Sequence, residues 1–215
     1  MTSTFVVVDD HESVLEGTCS VLQSQYPDAK IITATTADKV QPLIENVKPE
    51  LVVTDLSIPA APGETPKIED GLQLLQALLA SYANLNFVIQ SAHARSLIRL
   101  KPTIEAHRAG FTIADKSLSS REMLIKVDWA LKGLLYTPPE MRVGLEIKPE
   151  WLEMLQYAFV QGLTDKAIAQ NMNVSERTVR HYWTRTQDAL EVYPDEGINI
   201  RIQTYNKARL SGLLD

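Results

Sequence analysis

The sequence Thr4-Phe-Val-Val-Val8 is a continuous apolar run that closes on two acidic residues, Asp9 and Asp10. Continuous rather than alternating hydrophobicity is typical of a parallel strand that is covered on both faces. Four further short runs have the same character, at 30–34, 51–54, 87–90 and 111–114. Segments with helical patterning alternate with them, at about 12–25, 37–47, 71–82, 103–109 and 119–135. The pattern predicts an α/β domain with a doubly wound, five-stranded parallel sheet.

The chain from about residue 149 onward has a different pattern, without the short apolar runs of the first part. Four segments have helical patterning, at about 149–161, 164–172, 175–191 and 200–213. Between the two parts lies a stretch with Pro138-Pro139 and Gly144, residues that are common in linkers. We therefore predict an α/β domain over residues 1–136, a linker over 137–147 and a small all-α domain over 148–215.

Length and composition limit the classes of protein to consider. The 215 residues are 45% hydrophobic and 22% charged, so the chain can bury one large core or two ordinary ones. Charged residues interrupt every apolar stretch well before the ~18 residues of a membrane-spanning helix, and no secretory signal is expected. A single cysteine, Cys19, cannot form an internal disulfide, so we predict a cytoplasmic location. The net charge of −6 argues against indiscriminate polyanion binding, so any nucleic-acid contact requires a local basic face.

Acidic residues collect where the predicted strands end. Asp9 and Asp10 follow the first strand and Asp55 follows the third, so a parallel sheet brings their carboxylates to one edge. Like charges held together are costly unless a cation neutralises them, and all-oxygen ligation suits Mg²⁺. Ser91 follows the fourth strand and Lys116 the fifth. These residues predict a site in which Asp55 attacks phosphorus, a metal and Lys116 neutralise the phosphoryl oxygens, and Ser91 donates a hydrogen bond.

Four segments of this first part resemble the receiver domain of two-component response regulators. They are Val8-Asp9-Asp10-His11, Thr54-Asp55-Leu56-Ser57-Ile58-Pro59, Ser91-Ala92-His93 and Asp115-Lys116-Ser117. The resemblance covers about residues 4–135 and implies a flavodoxin-like fold in which a histidine kinase donates phosphate to Asp55. It also implies that Asp9, Asp10 and Asp55 hold Mg²⁺, while Ser91 and Lys116 sense the aspartyl phosphate.

Several positions depart from the usual receiver pattern. Residues 60–70 form an apparent insertion beside the site, which is either a tolerated surface loop or a lid or partner contact. The stretch after Ser91 is also longer than usual, and Pro102 is expected to mark the start of the fourth helix, where its missing N–H is harmless. Ile113 stands where receivers usually carry the switch aromatic. These changes leave the phosphorylation chemistry intact, but they alter the face that receivers usually switch by an aromatic flip.

The all-α part contains two helical segments in tandem that are separated by a turn of a few residues. Thr164 and Ser175 are expected to be their N-caps. Val179 and Trp183 follow a helical spacing and are expected to face the core, which leaves an arginine-rich face toward solvent. A basic helix held by a second helix across a short turn is typical of a major-groove reader. Residues 148–192 resemble the helix-turn-helix of the NarL/LuxR class.

This resemblance implies an interface with double-stranded DNA. Base contacts are expected from Arg180, His181 and Thr184 and backbone contacts from Arg177 and Arg185, with Thr178 in the same interface. Residues 148–215 carry 8 Lys and Arg against 9 Asp and Glu, a net charge of −1. Phosphate attraction grows with the number of contacts, so one such domain is expected to bind weakly. We therefore expect a homodimer on two half-sites, and the family often pairs subunits through the last helix, here at about 200–213.

Joining the two parts predicts a response regulator that a histidine kinase phosphorylates on Asp55, that binds DNA as a dimer, and that regulates transcription. It would not be an enzyme, apart from phosphorylation and dephosphorylation of its own Asp55. An alternative is a DNA-binding regulator whose receiver responds to protein or ligand contacts without phosphorylation. A third interpretation, a Mg²⁺-dependent phosphatase or phosphotransferase acting on external substrates, is disfavoured, because the sequence offers no evident second acid–base group and a binding domain follows directly.

Overall fold

The chain divides into two compact units, Met1–Pro138 and Pro139–Asp215. The structure, a computed structural model, describes residues 3–137, 147–194 and 197–214. The predicted linker, with Pro138-Pro139 and Gly144, lies outside the described residues except at its two ends, so its extent stays a prediction. Within the described ranges, every helix is too short or too polar to cross a membrane.

The first unit is built on a parallel sheet. Its strands are β1 (Thr4–Val8), β2 (Lys30–Ala34), β3 (Leu51–Thr54), β4 (Asn86–Gln90), β5 (Phe111–Ala114) and β6 (Leu135–Tyr136). They lie in the order β2-β1-β3-β4-β5-β6, and the order of the first five is that of a flavodoxin-like sheet. Strands β3 and β5 are buried along their whole length, as continuous apolar runs require. The predicted fold class is confirmed.

Five α-helices and a 3₁₀ helix accompany the sheet. They are α1 (Glu12–Gln25), α2 (Ala37–Val47), α3 (Ile68–Ser81), the 3₁₀ helix (Ala94–Leu100), α4 (Lys101–Glu105) and α5 (Ser120–Leu131). Helices α1 and α5 pack together over a core that includes Phe5, Val7, Leu22 and Val127. Helices α2, α3 and α4 form a second contiguous set, since α3 contacts both of the others. The sheet is therefore covered as a doubly wound fold demands.

The sheet has six strands, one more than the sequence predicted. We expected helix as far as residue 135, but α5 ends at Leu131 and Gly133 adopts a positive φ of 74°. This left-handed conformation suits glycine and turns the chain back toward the sheet. The peptide N–H of Phe111 then donates to the Leu134 carbonyl (3.0 Å), and Leu135 pairs with Phe111 as the sixth strand. Gly133 was the signal in the sequence that marked the end of the helix.

The inserted segment 60–70 contacts the start of α2. The carbonyls of Pro59 and Ala60 accept hydrogen bonds from the first two peptide N–H groups of that helix, at 2.9 and 3.0 Å. Such N–H groups have no partner inside their own helix, so the loop supplies what α2 lacks. An antiparallel bridge between Ile58 and Lys67 closes the base of the loop. The loop therefore has a structural role in the first unit, and a further role as a lid or partner contact stays a prediction.

The segment after β4 also differs in detail from expectation. The 3₁₀ helix precedes α4, and α4 covers five residues that end at Glu105, where we expected a helix over 103–109. Pro102 lies in the first turn of α4, as predicted, where its missing N–H removes no helical hydrogen bond. Ile113, at the position of the usual switch aromatic, is buried within β5.

The second unit is all-α within its described residues. Its helices are α6 (Pro149–Phe159), α7 (Asp165–Asn171), α8 (Glu176–Ala189) and α9 (Ile200–Leu210). The two predicted N-caps are confirmed: the Thr164 hydroxyl accepts from the Ala167 N–H at 3.4 Å, and the Ser175 hydroxyl accepts from the Thr178 N–H at 3.1 Å. Val179 and Trp183 of α8 are buried, as their spacing predicted.

Gly71, in the first turn of α3, gives a test of how closely this helix approaches the loop after β3. A Cβ atom at Gly71 would lie 2.0 Å from the backbone oxygen of Leu56, which no side chain tolerates. We expect Gly71→Ala to lower the free energy of unfolding by about 1–3 kcal/mol or more through overpacking, measured by urea denaturation. The matched control is Gly17→Ala within α1, where a Cβ would meet no described heavy atom within 4 Å. It should stabilise by about 0.5–1 kcal/mol, and equal midpoints for the two variants would contradict the close approach.

Candidate functional site

Two aspartates and a lysine meet at the carboxyl edge of the sheet. Asp9 follows β1 and Asp55 follows β3, and these strands are paired so that Val8 lies beside Thr54. Both aspartates are buried, with 3% and 4% of their surface exposed. Lys116, two residues after β5, places its Nζ 2.6 Å from Asp9 Oδ2 and 2.7 Å from Asp55 Oδ2. Three residues that are far apart in the sequence therefore form one charged cluster.

The remaining oxygen of each aspartate accepts a hydrogen bond from the local backbone. Asp55 Oδ1 accepts from the Leu56 N–H at 2.6 Å, and Asp9 Oδ1 accepts from the His11 N–H at 2.9 Å. Backbone donors of this kind fix the orientation of a carboxylate. The loops after β1 and β3 thus hold both side chains toward the same point, where Lys116 lies.

Asp10 and His11 form the outer part of the cluster. The ligand atoms of Asp9, Asp10 and His11 all lie within 4.8 Å of one another. Asp10 Oδ1 is 2.8 Å from His11 Nδ1, but without hydrogen-bond geometry, so among the described residues this buried oxygen has no hydrogen-bond donor. A buried carboxylate oxygen without a donor is costly and is the kind of group that a cation satisfies.

Ser91 lies on the same edge of the sheet, at the end of β4 and thus between the ends of β3 and β5. It is fully buried, and its N–H donates to the carbonyl of Ala114 at 3.1 Å. Its hydroxyl oxygen accepts from the His93 N–H at 3.2 Å, which holds the following turn against it. The structure therefore brings Asp9, Asp55 and Lys116 into direct contact and places Asp10 and Ser91 beside them on one edge.

The electrostatics of Lys116 follow from this contact. Burial alone would lower its pKa, but the hydrogen bonds and the attraction from Asp55 and Asp9 outweigh burial, and the pKa of Lys116 lies above its ordinary value. Because the pKa is higher in the folded state, the stabilisation is fully present at neutral pH. It is lost only as the pH rises above the ordinary lysine pKa of about 10.4.

A second candidate surface lies on α8. Five of the six residues that the sequence assigned to a DNA interface are exposed: Arg177, Arg180, His181, Thr184 and Arg185. Arg180 forms only a loose pair with Glu176, at 3.9 Å between exposed groups, which is weak enough to be exchanged for another anion. Thr178 differs, because it is half-buried and its hydroxyl shares a 2.8 Å hydrogen bond with Ser175 at the start of the helix. It belongs to the cap rather than to the exposed face.

Helix α9 carries an exposed apolar stripe. Ile202 and Leu210 are 58% and 67% exposed, and Asn206 lies between them on the same face of the helix. Tyr193, after α8, is also exposed and lines a groove of about 480 Å³ with residues that include Asn206 and Leu210. Large apolar side chains grouped in this way on a small domain indicate a contact surface.

Sequence reasoning missed two features of these surfaces. His11 contributes to the acidic cluster, and its position beside Asp9 and Asp10 was the available signal. Arg201 of α9 contacts both Asp165 and Trp183, and the sequence gives no signal for this contact because the three residues lie on different helices.

Comparisons with known proteins agree with this organisation. Residues 152–195 match the family described as bacterial regulatory proteins, luxR family. Over 225 aligned residues the chain is 24% identical to the transcriptional regulatory protein YdfI of Bacillus subtilis, covering 97% of this chain and 96% of YdfI. A solved structure of the response regulator RcsB from Salmonella typhimurium has a TM-score of 0.62 at 18% identity, covering 94% of this chain and 99% of RcsB. RcsB in a complex with DNA has a TM-score of 0.59 at 17% identity, covering 96% and 99% of the two chains.

These matches confirm the resemblance predicted from the sequence. Nearly the whole chain has the fold of a response regulator, and its second unit contains a LuxR-type helix-turn-helix.

The importance of the Lys116 contact can be tested without any ligand. In a chelating buffer at neutral pH, we expect Lys116→Met to lower the free energy of unfolding by about 2 kcal/mol, because two buried carboxylates lose a charged hydrogen-bond donor. Urea denaturation measures the change. Lys39→Met on α2 removes the same charge from an exposed position and is the control. Equal stabilities of the two variants would contradict a stabilising cluster.

Proposed function

Because the chain has the fold of a response regulator and a LuxR-type helix-turn-helix, we propose that it is a DNA-binding transcription regulator that a histidine kinase switches by phosphorylating Asp55. The contact of Lys116 with Asp9 and Asp55 carries the phosphorylation part of this proposal. The helix-turn-helix match and the exposed basic face of α8 support the DNA-binding part, as do the name of YdfI and the RcsB complex with DNA. The proposed receiver covers residues 1–136, the linker 137–147 and the DNA-binding domain 148–215, all in the cytoplasm.

Mg²⁺ is the cofactor that fits the acidic end of the site. Asp9, Asp10 and Asp55 supply the oxygen ligands that this ion prefers, and Asp10 Oδ1 has no described hydrogen-bond donor to compete with it. The bound ion would neutralise negative charge on the phosphoryl oxygens during transfer. The three aspartates would therefore hold the metal, and the Asp9 and Asp55 oxygens that now contact Lys116 would exchange that contact for one with the ion.

The phosphoryl transfer itself uses Asp55 as the nucleophile. One of its carboxylate oxygens forms a bond to phosphorus while the bond between phosphorus and the donor's nitrogen breaks, and the departing imidazole takes a proton. Lys116, already within 2.7 Å of Asp55, balances the charge of the new phosphoryl group, and the Ser91 hydroxyl donates to one of its oxygens. The contact of Lys116 with Asp55 and the position of Ser91 at the end of β4 support these roles.

The output follows from the change at this edge. An aspartyl phosphate adds negative charge and acceptor oxygens at the point where Lys116 now contacts two carboxylates. Lys116 and Ser91 must therefore rearrange to donate hydrogen bonds to the phosphoryl oxygens. That rearrangement biases the receiver between two states, of which one allows the DNA-binding domains to pair. The linker transmits the change.

DNA recognition is assigned to the exposed face of α8. Arg180, His181 and Thr184 contact base edges in the major groove, and Arg177 and Arg185 contact the phosphate backbone. The near-neutral charge of residues 148–215 limits what one domain can achieve on its own. Two domains of a homodimer, paired through the apolar stripe of α9, would double the contacts and fix the spacing of the half-sites.

The acceptor assignment is tested by labelling with a small phosphodonor. We expect the chain to become labelled by acetyl phosphate in the presence of Mg²⁺, and Asp55→Asn to abolish the label because an amide cannot attack phosphorus in the same way. Asp28→Asn is the control, since Asp28 is exposed and precedes β2 at the opposite edge of the sheet. Undiminished labelling of Asp55→Asn would refute the assignment.

The DNA-binding face is tested on a duplex enriched by binding-site selection. Arg180→Ala should weaken binding of that duplex by about 1–3 kcal/mol and relax its base preference at one position in each half-site. Arg209→Ala on α9 makes the same change of charge away from α8 and should have a smaller effect that does not depend on sequence. Fluorescence anisotropy with labelled duplexes measures both. Equal effects of the two variants would contradict a reading role for Arg180.

A phosphorylation-independent regulator is the second candidate function. It is favoured by the buried Ile113 in place of the switch aromatic and by the inserted loop 60–70, which is hydrogen-bonded to the start of α2. Binding-site selection with acetyl-phosphate-treated and untreated protein separates the two candidates. The proposed function predicts that treatment raises affinity for duplexes with two half-sites, whereas an unchanged affinity in a chain that is demonstrably phosphorylated would favour control by protein or ligand contacts.

A further inference from the structure

Three helices of the second unit meet at one carboxylate. Asp165, the first residue of α7, accepts a 3.0 Å hydrogen bond from the Trp183 indole Nε1 through Oδ1. Its other oxygen, Oδ2, accepts a 2.8 Å hydrogen bond from Arg201 Nη2. The Arg201 guanidinium also stacks on Trp183, with its Cζ 3.5 Å from the ring centroid. Asp165, Trp183 and Arg201 therefore form a closed triangle of contacts, which we call the α7–α8–α9 cluster.

The cluster is well placed to hold the helices rigidly. Trp183 is 3% exposed, and Phe159 of α6 packs against its ring edge-on at 5.5 Å. Burial of Asp165 would raise its pKa, but the hydrogen bonds from Arg201 and Trp183 outweigh burial and hold the pKa below its ordinary value. The carboxylate is thus ionised at neutral pH, and each member of the cluster keeps its partner. Stacked and charge-assisted contacts of this kind fix geometry more strictly than apolar packing alone.

The cluster joins α8, which carries the proposed DNA interface, to α9, which carries the proposed pairing surface. Trp183 lies in the middle of α8, and the exposed surface of that helix carries Arg180, Thr184 and the other exposed residues of the proposed DNA interface. Arg201 lies in the first turn of α9, whose exposed stripe of Ile202 and Leu210 is the proposed pairing surface. Further along these two helices, Gln187 Nε2 donates a hydrogen bond to the Thr204 hydroxyl, but this bond is long, at 3.4 Å.

We propose that Asp165 and Arg201 are positioning residues that fix the angle between the DNA-reading helix α8 and the pairing helix α9. This inference rests on the proposed function, because it concerns how paired domains meet two half-sites. A dimer gains affinity from its second domain only if both reading helices enter their grooves at the same time. A variable angle between α8 and α9 therefore reduces that gain in affinity but leaves the contacts of a single domain unchanged. The cluster would therefore control binding to two half-sites more than binding to one.

The test compares two duplexes and two arginine variants of the full chain. The first duplex is the one enriched by selection with the unaltered protein, and the second has one of its half-sites replaced by sequence that was not enriched. Arg201→Ala should weaken binding to the two-site duplex by about tenfold, because α9 loses its charged and stacked anchor, but should change one-site binding little. Arg209→Ala, which removes the same charge from α9 without touching the cluster, should change neither affinity by more than about twofold.

Asp165→Asn is a second, more conservative variant of the same contact, and it keeps the test valid if Arg201→Ala does not fold. Asparagine has the same size and keeps an oxygen for the Trp183 indole, so it removes the carboxylate charge that Arg201 contacts and that also attracts Arg180. A cooperative thermal melt checks that each variant is folded, and Asp165→Asn should reproduce the selective loss on the two-site duplex at about threefold or more. Faster hydrogen exchange of α9 amides in both variants, relative to Arg209→Ala, is also expected.

The outcomes separate the positioning role from the proposed function. Equal losses on the one-site and two-site duplexes, or variants indistinguishable from Arg209→Ala, would overturn the positioning role while leaving DNA binding intact. Failure of the unaltered chain to enrich any duplex would contradict the proposed function and the positioning role with it.

Discussion

The Lys116 ammonium lies between two buried carboxylates, and the functional edge of the first unit is organised around that contact. The register of the sheet makes it unavoidable that Asp9 and Asp55 are neighbours, because each directly follows one member of the Val8–Thr54 pair. Two buried carboxylates on neighbouring strand ends would destabilise the fold if no cation lay between them. Lys116 comes from β5, two strands further along, and its long side chain reaches back across the end of β4. We propose that this cluster, which already depends on a shared positive charge, accepts a phosphoryl group and a metal ion.

Much of this arrangement could be predicted from the sequence, because the relevant signals are local. Continuous apolar runs gave β1, β2, β3 and β5 their observed bounds, and the residue after each strand end identified Asp9, Asp55 and Ser91. The sixth strand was missed because two residues carry no periodicity, although Gly133 marked the end of α5. Two contacts depend on the distances between elements and on chain paths that no local pattern encodes: that of Lys116 with both aspartates, and the hydrogen bonds that the first N–H groups of α2 donate to loop carbonyls.

The second unit shows the same division between local and non-local information. The caps at Thr164 and Ser175 and the buried Trp183 follow from residue type and spacing, and the arginines of α8 remain exposed. The bond from Arg201 to Asp165 joins residues on two helices separated by a third, so only the folded chain reveals it. Because residues 148–215 are nearly neutral, the proposed DNA binding depends more on the geometry of the contacts than on general attraction to phosphate. Its proposed pairing surface and its proposed reading face are therefore best understood together, as parts of one rigid arrangement of helices.

A crystal structure of the full chain grown with Mg²⁺ and beryllium fluoride would test the central claim most directly. The account predicts a trifluoroberyllate group on an Asp55 oxygen, a metal ion held by Asp9, Asp10 and Asp55, and the Lys116 Nζ within about 3 Å of a fluoride after leaving the Asp55 carboxylate. Under saturating conditions, a structure in which Asp55 carries no adduct and Lys116 still bridges the two carboxylates would contradict it.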